Sequence, residues 1–363
     1  MIVDPLKRLQ RFHRFHRRAV LSGITRIKRI KRGLCIGVLS AAACAGAWAQ
    51  APAQALGNKP VRIVVPYTTG GTADLATRIL AEGMQAVLGL PVIVENKPGA
   101  TGKIAAEAVA RAEPDGHTLL AGGTSQYVIL PLLDKTSNYK PLDDFKMVSL
   151  FSKYDIVFMA GAPSGIKTMK DLLAKMQDKK EDVTYASIGQ PELTPPGLSF
   201  LVFNKLYNGS ARPIVYGGQQ PGTLDMIAGR VTFATYPLSG SLPHIQSGKL
   251  NALAVASPTR LPQLPDTPTM GELGYTEFMN ANNWASWLGL SAPSKTPDAI
   301  IQQLNRAAVQ AAQTEAFKTK LAAIGQSALG TGTAKEDQAA WIAEHNRLSA
   351  TIKRLDIRMP TGQ

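Results

Sequence analysis

The segment VPYTTGGTAD, residues 65–74, carries the residue types of an anion-binding loop. It follows an apolar, β-branched run and precedes an amphipathic run, so we expect a strand, a glycine turn and a helix. Gly70 and Gly71 let backbone N–H groups approach a ligand closely, and Thr72 is the expected helix N-cap. The first N–H groups of a helix lack intrahelical partners and lie at the positive end of its dipole. The segment therefore predicts a carboxylate site that needs no lysine or arginine.

Three more loops of the same kind favour a binding site over the simpler alternative, in which Thr72 and Asp74 only cap the helix and balance its dipole. Each follows a predicted strand and offers glycine N–H groups or hydroxyls: GGTSQY at 122–127, SIGQ at 187–190 and YGGQ at 216–219. Four such loops exceed what helix capping alone requires. Their candidate ligand-binding residues are Thr124, Ser125, Ser187, Gly189, Tyr216 and Gly217.

Sequence motifs for nucleotide binding and catalysis are missing from the chain. The loop after the first strand lacks the third glycine of G-x-G-x-x-G, and Gly102-Lys103 lacks both the spacing and the hydroxyl residue of a phosphate-binding loop. Neither G-x-S-x-G nor H-E-x-x-H occurs, and His117, His244 and His345 lie far apart in sequence. We therefore expect no catalytic residues, no cofactor and no metal, and a binding protein rather than an enzyme.

Alternating apolar strands and amphipathic helices place these loops in an α/β fold. We predict strands at 62–66, 92–95, 118–122, 155–159, 183–187, 213–216 and 287–292, with further apolar runs at 224–228, 231–235 and 250–256 in the second group. We predict helices at 73–88, 102–111, 168–175, 197–206, 297–314, 315–324 and 335–355. Such alternation is typical of parallel β-α-β units, which bind ligands at the carboxyl ends of their strands.

The order of these elements predicts two lobes with a ligand cleft between them. The chain crosses from the first group of strands to the second near 155–159 and returns near 284–288. Clefts between lobes are a common place for ligands. The predicted boundaries are 1–49 for a signal peptide, 50–57 for a flexible mature N-terminus, 58–156 with 288–363 for lobe 1, and 157–287 for lobe 2.

A leader segment accounts for most of the formal net charge of +14, since the first 34 residues hold 11 of the 40 Lys and Arg residues and one acid. An apolar stretch at 34–49 follows and ends in A-W-A, a signal-peptidase site, with A-Q-A at 53–55 as the alternative. We expect a cleaved signal peptide and a periplasmic protein. A membrane anchor is the weaker alternative because a span needs ~20 apolar residues. A nucleic-acid-binding arm is also weaker, because the apolar stretch follows the basic run directly.

Both cysteines of the chain, Cys35 and Cys44, fall within this leader. The mature chain is therefore expected to contain no disulfide and no cysteine-ligated metal. The remaining 29 basic and 25 acidic residues nearly cancel, so the mature chain gives no reason to expect a nucleic-acid partner.

From about Lys59 to Met359 the sequence resembles the Bug-type periplasmic solute-binding receptors of tripartite tricarboxylate transporters, the TctC family. No single motif carries the resemblance, but the set is specific. The motifs are PVRIVVP at 60–66 leading to GGTAD at 70–74, LPVIVENKPGA at 90–100, PDGHTLL at 114–120, YAS at 185–187, PHI at 243–245 with GKL at 248–250, and LPDTPT at 264–269.

The resemblance implies a two-lobe periplasmic-binding-protein fold of the Venus flytrap kind, type II-like, that closes on one small carboxylate. It further implies that the loops after the first and third strands hold the carboxylate, partly through ordered waters. Integral-membrane transporter subunits are the implied partners, and the receptor itself is expected to be a monomer. The residues that match the family's ligand loops are Tyr67, Thr69, Gly71, Thr72, Asp74, Thr124 and Ser125.

Two departures from the family pattern bear on the ligand. The stretch after Tyr185-Ala186-Ser187 is longer than in many relatives and lacks their histidine. Relatives that bind amino acids carry an aspartate before the PHI motif, where this chain has Tyr236. Trp284 lies at the return crossover, where it could stack on a ligand ring or fill the hinge core. We expect a di- or tricarboxylate or an aromatic carboxylate, with an amino acid as the alternative and an enzyme on the same scaffold as a weaker one.

Overall fold

The computed structural model describes residues 56–275, 277, 286–330 and 332–359. The strands in this part of the chain are β1 (Val61–Val65), β2 (Val92–Asn96), β3 (Thr118–Gly123), β4 (Phe145–Tyr154), β5 (Ile156–Gly161), β6 (Thr184–Ile188), β7 (Arg212–Tyr216), β8 (Phe233–Pro237), β9 (Leu250–Val255), β10 (Ser286–Pro293) and β11 (Ser327–Ala328). The α-helices are α1 (Thr72–Leu88), α2 (Lys103–Ala110), α3 (Leu130–Leu133), α4 (Pro141–Asp144), α5 (Met169–Gln177), α6 (Pro195–Leu206), α7 (Gln219–Ile227), α8 (Leu242–Gln246), α9 (Asp298–Gln313), α10 (Glu315–Ala323) and α11 (Ala334–Arg354).

These strands form two mixed sheets, one in each lobe. The six-stranded sheet of lobe 1 has the order β11-β4-β10-β3-β1-β2, and the five-stranded sheet of lobe 2 has the order β7-β6-β8-β5-β9. In lobe 1, β1 pairs in parallel with β2 and β3, whereas β10 is antiparallel to β3 and β4. In lobe 2, β6 is parallel to β7 and β8, whereas β5 is antiparallel to β8 and β9.

The strand directions place the loops of interest around a cleft. β4 ends at Tyr154 and β5 begins at Ile156, so Asp155 alone joins the two sheets at this crossover. β4 runs in the same direction as β3 because both are antiparallel to β10. Ile156 pairs with Pro237 at the end of β8. The carboxyl ends of the parallel strands in both sheets therefore lie beside the crossover and face each other.

The two-lobe α/β fold is confirmed, but the sequence prediction omitted β4. Most of β4 is buried on both faces, and Lys146, Ser149 and Ser152 interrupt its apolar residues. It therefore shows neither the alternation of a half-buried strand nor the continuous apolar run of a parallel one. The expectation of parallel β-α-β units holds for β1 to β3 and for β6 to β8. It is wrong for the strands that pair in antiparallel fashion, which are β4, β10 and β11 in lobe 1 and β5 and β9 in lobe 2.

Helices cover both faces of the lobe 1 sheet. On one face α1, α9 and α10 contribute Leu80, Leu304 and Leu321 to an apolar cluster with the strands. On the other face α11 buries Trp341 completely, and its indole Nε1 donates to Tyr127 O at 3.1 Å. This second cluster continues into lobe 2 through Phe203 of α6, so apolar packing joins the lobes on that side.

The predicted signal peptide lies outside the described residues. Leu56, which the prediction placed in a flexible mature N-terminus, is buried in the core of lobe 1, and its N–H donates to Gln303 Oε1 at 3.1 Å. The flexible segment therefore does not extend to Leu56. No helix in the described part of the chain is long and apolar enough to cross a membrane.

A close helix contact gives a test of this packing. A Cβ on Gly83 of α1 would lie 2.6 Å from Ala311 Cβ of α9. Overpacking costs about 1–3 kcal/mol, and the gain in helix propensity returns only about 1 kcal/mol of it. Gly83→Ala should therefore lower the free energy of unfolding, and Ala311→Gly in the same chain should restore it. Urea unfolding of both single variants and the double variant measures the coupling.

The neighbouring Ala312 supplies the control, because it is also buried on α9 but does not face Gly83. Ala312→Gly carries the same propensity cost without making room for the new methyl group. It should not rescue Gly83→Ala. If Ala311→Gly and Ala312→Gly rescue Gly83→Ala equally, the helices do not meet at Gly83.

Candidate functional site

The loop between β1 and α1 opens a 17-residue helix that has no side-chain cap. Gly71 is the N-cap, in an extended conformation, and Thr72 is the first helical residue. The prediction of Thr72 as the N-cap is therefore wrong. Because the capping residue is a glycine, no side-chain oxygen is present there to accept hydrogen bonds from the first N–H groups of α1. Those groups remain suited to an anion at the positive end of the helix dipole.

Asp74 supports this loop from inside the first turn of α1. It is 1% exposed, and both carboxylate oxygens accept N–H donors. Oδ2 accepts from Gly70 N at 2.8 Å and Arg78 Nε at 3.1 Å, whereas Oδ1 accepts from Asn96 Nδ2 at 2.8 Å and lies 3.0 Å from Arg78 Nη2. Burial acts to raise the pKa of Asp74, but the hydrogen bonds from Arg78, Gly70 and Asn96 and the Arg78 charge outweigh it and lower the pKa.

Asn96, at the carboxyl end of β2, ties the same loop at its other end. Its Nδ2 donates to Tyr67 O at 3.0 Å. Its Oδ1 accepts from Thr69 Oγ1 at 3.1 Å and from Arg78 Nη2 at 2.9 Å. The predicted site residue Thr69 is exposed and held by Asn96, so the glycine turn has a fixed frame on both sides.

Gln126 joins the loops that follow β1, β2 and β3. It is completely buried. Its Oε1 accepts from Tyr67 Oη and from Gly123 N, each at 3.0 Å, and its Nε2 donates to Thr101 O at 2.7 Å. One amide therefore fixes the relative positions of three loops at the carboxyl edge of the lobe 1 sheet.

Thr124 and Ser125 lie directly after β3, and each is 4% exposed. Thr124 Oγ1 has no hydrogen-bond partner among the described residues. Ser125 lies within reach of the Tyr67 hydroxyl; burial raises the pKa of Tyr67, and the hydrogen bonds with Gln126 and Ser125 partly offset this. Tyr67 is therefore an uncharged donor at neutral pH. A buried hydroxyl without a partner costs about 1–3 kcal/mol, so the Thr124 hydroxyl is a candidate donor to a ligand.

The polar groups of three predicted residues in lobe 2 are engaged within that lobe. Ser187 is completely buried and donates to Gly189 O at 2.8 Å. Gly189 N donates to Tyr216 O at 3.0 Å, and Tyr216 Oη donates to Asp225 Oδ2 at 2.7 Å. Burial and then the hydrogen bond with Asp225 raise the pKa of Tyr216 to about 12. These residues shape the lobe 2 loops.

The loop before α7 resembles the loop before α1. Gly217 is exposed, and a Cβ on either Gly217 or Gly218 would meet nothing within 4 Å. Gly218 is the N-cap of α7 and provides no side-chain cap. Each lobe therefore presents the start of a helix, without a side-chain cap, directly after a pair of glycines.

Tyr236 lies in the core of lobe 2. It is completely buried, and its hydroxyl occupies the space that a Cβ on Gly222 of α7 would need. That hydroxyl has no hydrogen-bond partner in the described part of the chain. Tyr236 therefore packs beneath the first turn of α7, against Gly222. The remaining predicted site residue, Trp284, lies outside the described residues.

The groups at the cleft loops suit binding and offer little for catalysis. The donors are backbone N–H groups and hydroxyls, and the buried acid Asp74 is already paired with Arg78. No group of three His, Cys, Asp or Glu residues in the described ranges could hold a metal ion.

Comparisons with known proteins agree with this arrangement. The sequence profile described as "Tripartite tricarboxylate transporter family receptor" (TctC) matches residues 76–357. This chain belongs to the TctC family. It is 33% identical to Protein BugT of Bordetella pertussis over 288 residues, which are 78% of this chain and 85% of BugT. The predicted resemblance to the TctC family is thereby confirmed.

Solved structures of related proteins, among them the periplasmic binding protein BugD, share the fold of this TctC chain. An R. palustris protein solved with adipate has a TM-score of 0.74 and 27% identity, covering 83% of this chain and 98% of its own. MatC from Rhodopseudomonas palustris, solved with malate, has a TM-score of 0.72 and 27% identity, covering 81% of this chain and 99% of its own. The expected periplasmic-binding-protein fold is confirmed for this TctC receptor.

Sequence reasoning missed the residues that brace the TctC loops. Asn96, Gln126 and Gln326 make the bridging hydrogen bonds, with Gln326 Nε2 donating to Thr72 O at 2.9 Å. Asn96 and Gln126 could have been suspected, because each is an amide at or shortly after the carboxyl end of a strand, next to a glycine-containing loop. Gln326 is far from the other loops in sequence and gave no such signal.

Replacement of Asp74 tests the bracing of the loop. Both carboxylate oxygens accept N–H donors, so the amide introduced by Asp74→Asn would turn its NH₂ group toward a donor in either orientation. Asp74→Asn should therefore lower the free energy of unfolding by roughly 1.5–3 kcal/mol, the range for hydrogen bonds to charged groups. Urea unfolding measures the loss.

Glu82→Gln is the matched control, because Glu82 is an exposed acid on α1 that forms a surface ion pair with the exposed Lys320. Its effect should stay within about 0.5 kcal/mol. The pKa of folded Asp74 lies below its ordinary value of 3.8, so its contribution is complete above that pH and is lost as pH falls through the folded pKa. The difference between wild type and Asp74→Asn should shrink below about pH 4; a difference that grows there would contradict the assignment.

Proposed function

We propose that this TctC receptor binds a small organic carboxylate between its lobes in the periplasm. The ligand is a di- or tricarboxylate or an aromatic carboxylate, and the two related structures with adipate and malate support that class. Closure of the lobes shifts the population toward the bound form. The closed complex delivers the ligand to the membrane subunits of a tripartite tricarboxylate-type transporter or reports its presence to a sensor.

Thr124 is the observation that carries this proposal. Its hydroxyl is buried at the carboxyl end of β3 and has no partner among the described residues. The Tyr67–Gln126 hydrogen bond joins its loop to the loop that begins α1. A carboxylate at this place accepts from the Thr124 hydroxyl and from the first N–H groups of α1. Hydrogen bonds to a charged acceptor are roughly twice as strong as neutral ones.

The second glycine loop supports a ligand with two acidic ends. α1 of lobe 1 and α7 of lobe 2 both begin after a glycine pair without a side-chain cap. Both follow parallel strands whose carboxyl ends face the cleft. An anion at each helix start is stabilised by the partial positive charge there. A dicarboxylate that spans the cleft places one carboxylate at each helix.

An amino-acid ligand is the alternative function. In relatives of that kind an aspartate suits the ammonium group, and the corresponding position here is Tyr236. Tyr236 is completely buried beneath α7 and carries no negative charge, since burial raises its pKa further. This environment disfavours an ammonium group at that position.

A thermal-shift screen distinguishes these ligand classes. Wild-type protein should be stabilised by dicarboxylates or aromatic carboxylates and not by amino acids. A ligand at about 100 times its Kd should add about 2.7 kcal/mol to the free energy of unfolding. Stabilisation by amino acids alone would refute the carboxylate proposal. Consumption of a stabilising compound, followed by NMR, would identify an enzyme instead.

Thr124→Val tests the proposed ligand contact. The substitution keeps the shape of the side chain and removes a hydroxyl that has no partner within the described part of the protein. Stability without ligand should be unchanged or higher, because no buried polar group is left unsatisfied. Affinity for a stabilising carboxylate should fall roughly 10-fold to 100-fold, as expected for the loss of a charge-assisted hydrogen bond. Calorimetric titration measures the affinity.

Thr296→Val is the matched control. Thr296 is also completely buried with an unpartnered Oγ1, but it follows β10 at the opposite edge of the lobe 1 sheet. It should show the same stability response and an unchanged affinity. If both valine variants bind with wild-type affinity, the carboxylate does not contact Thr124.

A further inference from the structure

Gly325 of lobe 1 and Ser239 of lobe 2 are in direct contact. A Cβ on Gly325 would lie 2.6 Å from both Cα and Cβ of Ser239 and 3.0 Å from its N. Real Cβ atoms do not approach other heavy atoms that closely. Gly325 also has φ +69°, in the region that favours glycine. The approach of the other lobe thus adds a second, separate requirement for glycine at this position.

The lobe 1 half of this contact is attached to the ligand loop. Gly325 follows α10, and its N–H donates to Ala322 O at 2.9 Å. The next residue, Gln326, is 4% exposed, and its Nε2 donates to Thr72 O at 2.9 Å. Its Oε1 accepts from the Ser152 hydroxyl on β4. Gly325 is therefore fixed relative to both the start of α1 and the strand that leads to the crossover.

The lobe 2 half is attached to the other glycine loop. Ser239 lies in a turn after β8 in which Ser241 N donates to Leu238 O at 2.9 Å. Gln219 Nε2 donates to Pro237 O at 3.0 Å and to Ser241 Oγ at 2.9 Å. Gln219 is the first residue of α7, directly after the open glycine pair. The turn that meets Gly325 is therefore fixed relative to the start of α7.

The contact lies beside the crossover between the lobes. On the lobe 1 side, Ser327 pairs with Lys153 near the end of β4. On the lobe 2 side, Pro237 pairs with Ile156 at the start of β5. Because both halves are held by hydrogen bonds close to the hinge, neither can yield far when the lobes rotate toward each other.

We propose that the contact between Gly325 and Ser239 is a stop that sets how far the lobes close, and thereby the length of ligand that the cleft accepts. The proposal rests on the proposed function of carboxylate binding between the lobes. A side chain at position 325 holds the two helix starts farther apart. A short dicarboxylate then no longer reaches both helices, whereas a longer one does.

Calorimetric titration of Gly325→Ala tests the stop. The ligands are straight-chain dicarboxylates of increasing length: succinate, glutarate, adipate and suberate. Succinate should lose roughly tenfold or more in affinity relative to suberate, the scale expected for a misfit of about one methylene. Gly248→Ala is the matched control, because Gly248 has φ +71° and nothing within 4 Å of an added Cβ. It carries the same backbone strain and should leave the length preference unchanged.

Ser239→Gly provides a variant of opposite sign. It removes the Cβ that faces Gly325, so the lobes can close slightly more. The affinity should therefore shift in favour of shorter dicarboxylates. If neither Gly325→Ala nor Ser239→Gly changes the ratio of affinities along the ladder, the contact does not set the ligand length.

Urea unfolding without ligand separates failure of the stop from failure of the proposed function. A contact between lobes that can open is relieved by rotation, so Gly325→Ala and Gly248→Ala should lower the unfolding midpoint equally. A clearly larger loss in Gly325→Ala would show a permanent packing contact and overturn the stop, whatever the ligand. Failure of every dicarboxylate to bind wild type would refute dicarboxylate binding, whereas wild-type binding with an unchanged preference in Gly325→Ala would refute only the stop.

Discussion

The buried carboxylate of Asp74 is the interaction on which the lobe 1 site depends. Glycines at 70 and 71 give the backbone close access to a ligand, but glycine also has the greatest conformational freedom to lose on ordering. Asp74 fixes that turn by accepting the Gly70 N–H, and Arg78 neutralises its charge. The negative charge therefore does not oppose an anion at the start of α1. The same side chain rigidifies the loop by accepting the Gly70 N–H, while the first turn of α1 keeps no side-chain cap from Gly71.

The two lobes use comparable loops differently. In lobe 1, Thr124 retains an unpartnered hydroxyl within the described residues, next to loops that Gln126 and Asn96 hold in place. In lobe 2, the hydroxyl of Ser187 and the N–H of Gly189 are engaged in their own loop, whereas the start of α7 carries no side-chain cap. Lobe 1 therefore offers the more directional contacts, and lobe 2 offers a less specific, dipolar one. In the proposed complex, such an arrangement fixes one end of the ligand and tolerates variation at the other.

Local patterns predicted the fold correctly where the apolar residues of a strand or helix recur with the period of that element. The strand and helix around 61–88 have clear apolar periodicity and a glycine turn, and both formed within about one residue of the prediction. The sequence did not predict β4, because this strand is buried on both faces. It did not predict the antiparallel pairing of β10 either, because that pairing depends on a partner that is distant in sequence. The bracing amides escaped for a similar reason, since Gln326 and Thr72 are 254 positions apart and meet only in the folded chain. Tyr236 was read from its sequence neighbours, but packing against Gly222 decides where its hydroxyl lies.

Rigid loops and a short crossover that allows rotation together determine what kind of selectivity this receptor can have. Hydrogen bonds from N–H groups and hydroxyls adapt little in position when their loops are held by buried side chains. Asp155 alone joins the sheets at the described crossover, so the distance between the two helix starts varies chiefly through rotation about that region. Gly325 and Ser239 meet close to it, where a small change in contact distance produces a larger change at the far rim of the cleft. The fixed loops then select the ligand by its chemical groups, and the angle between the lobes selects it by its length.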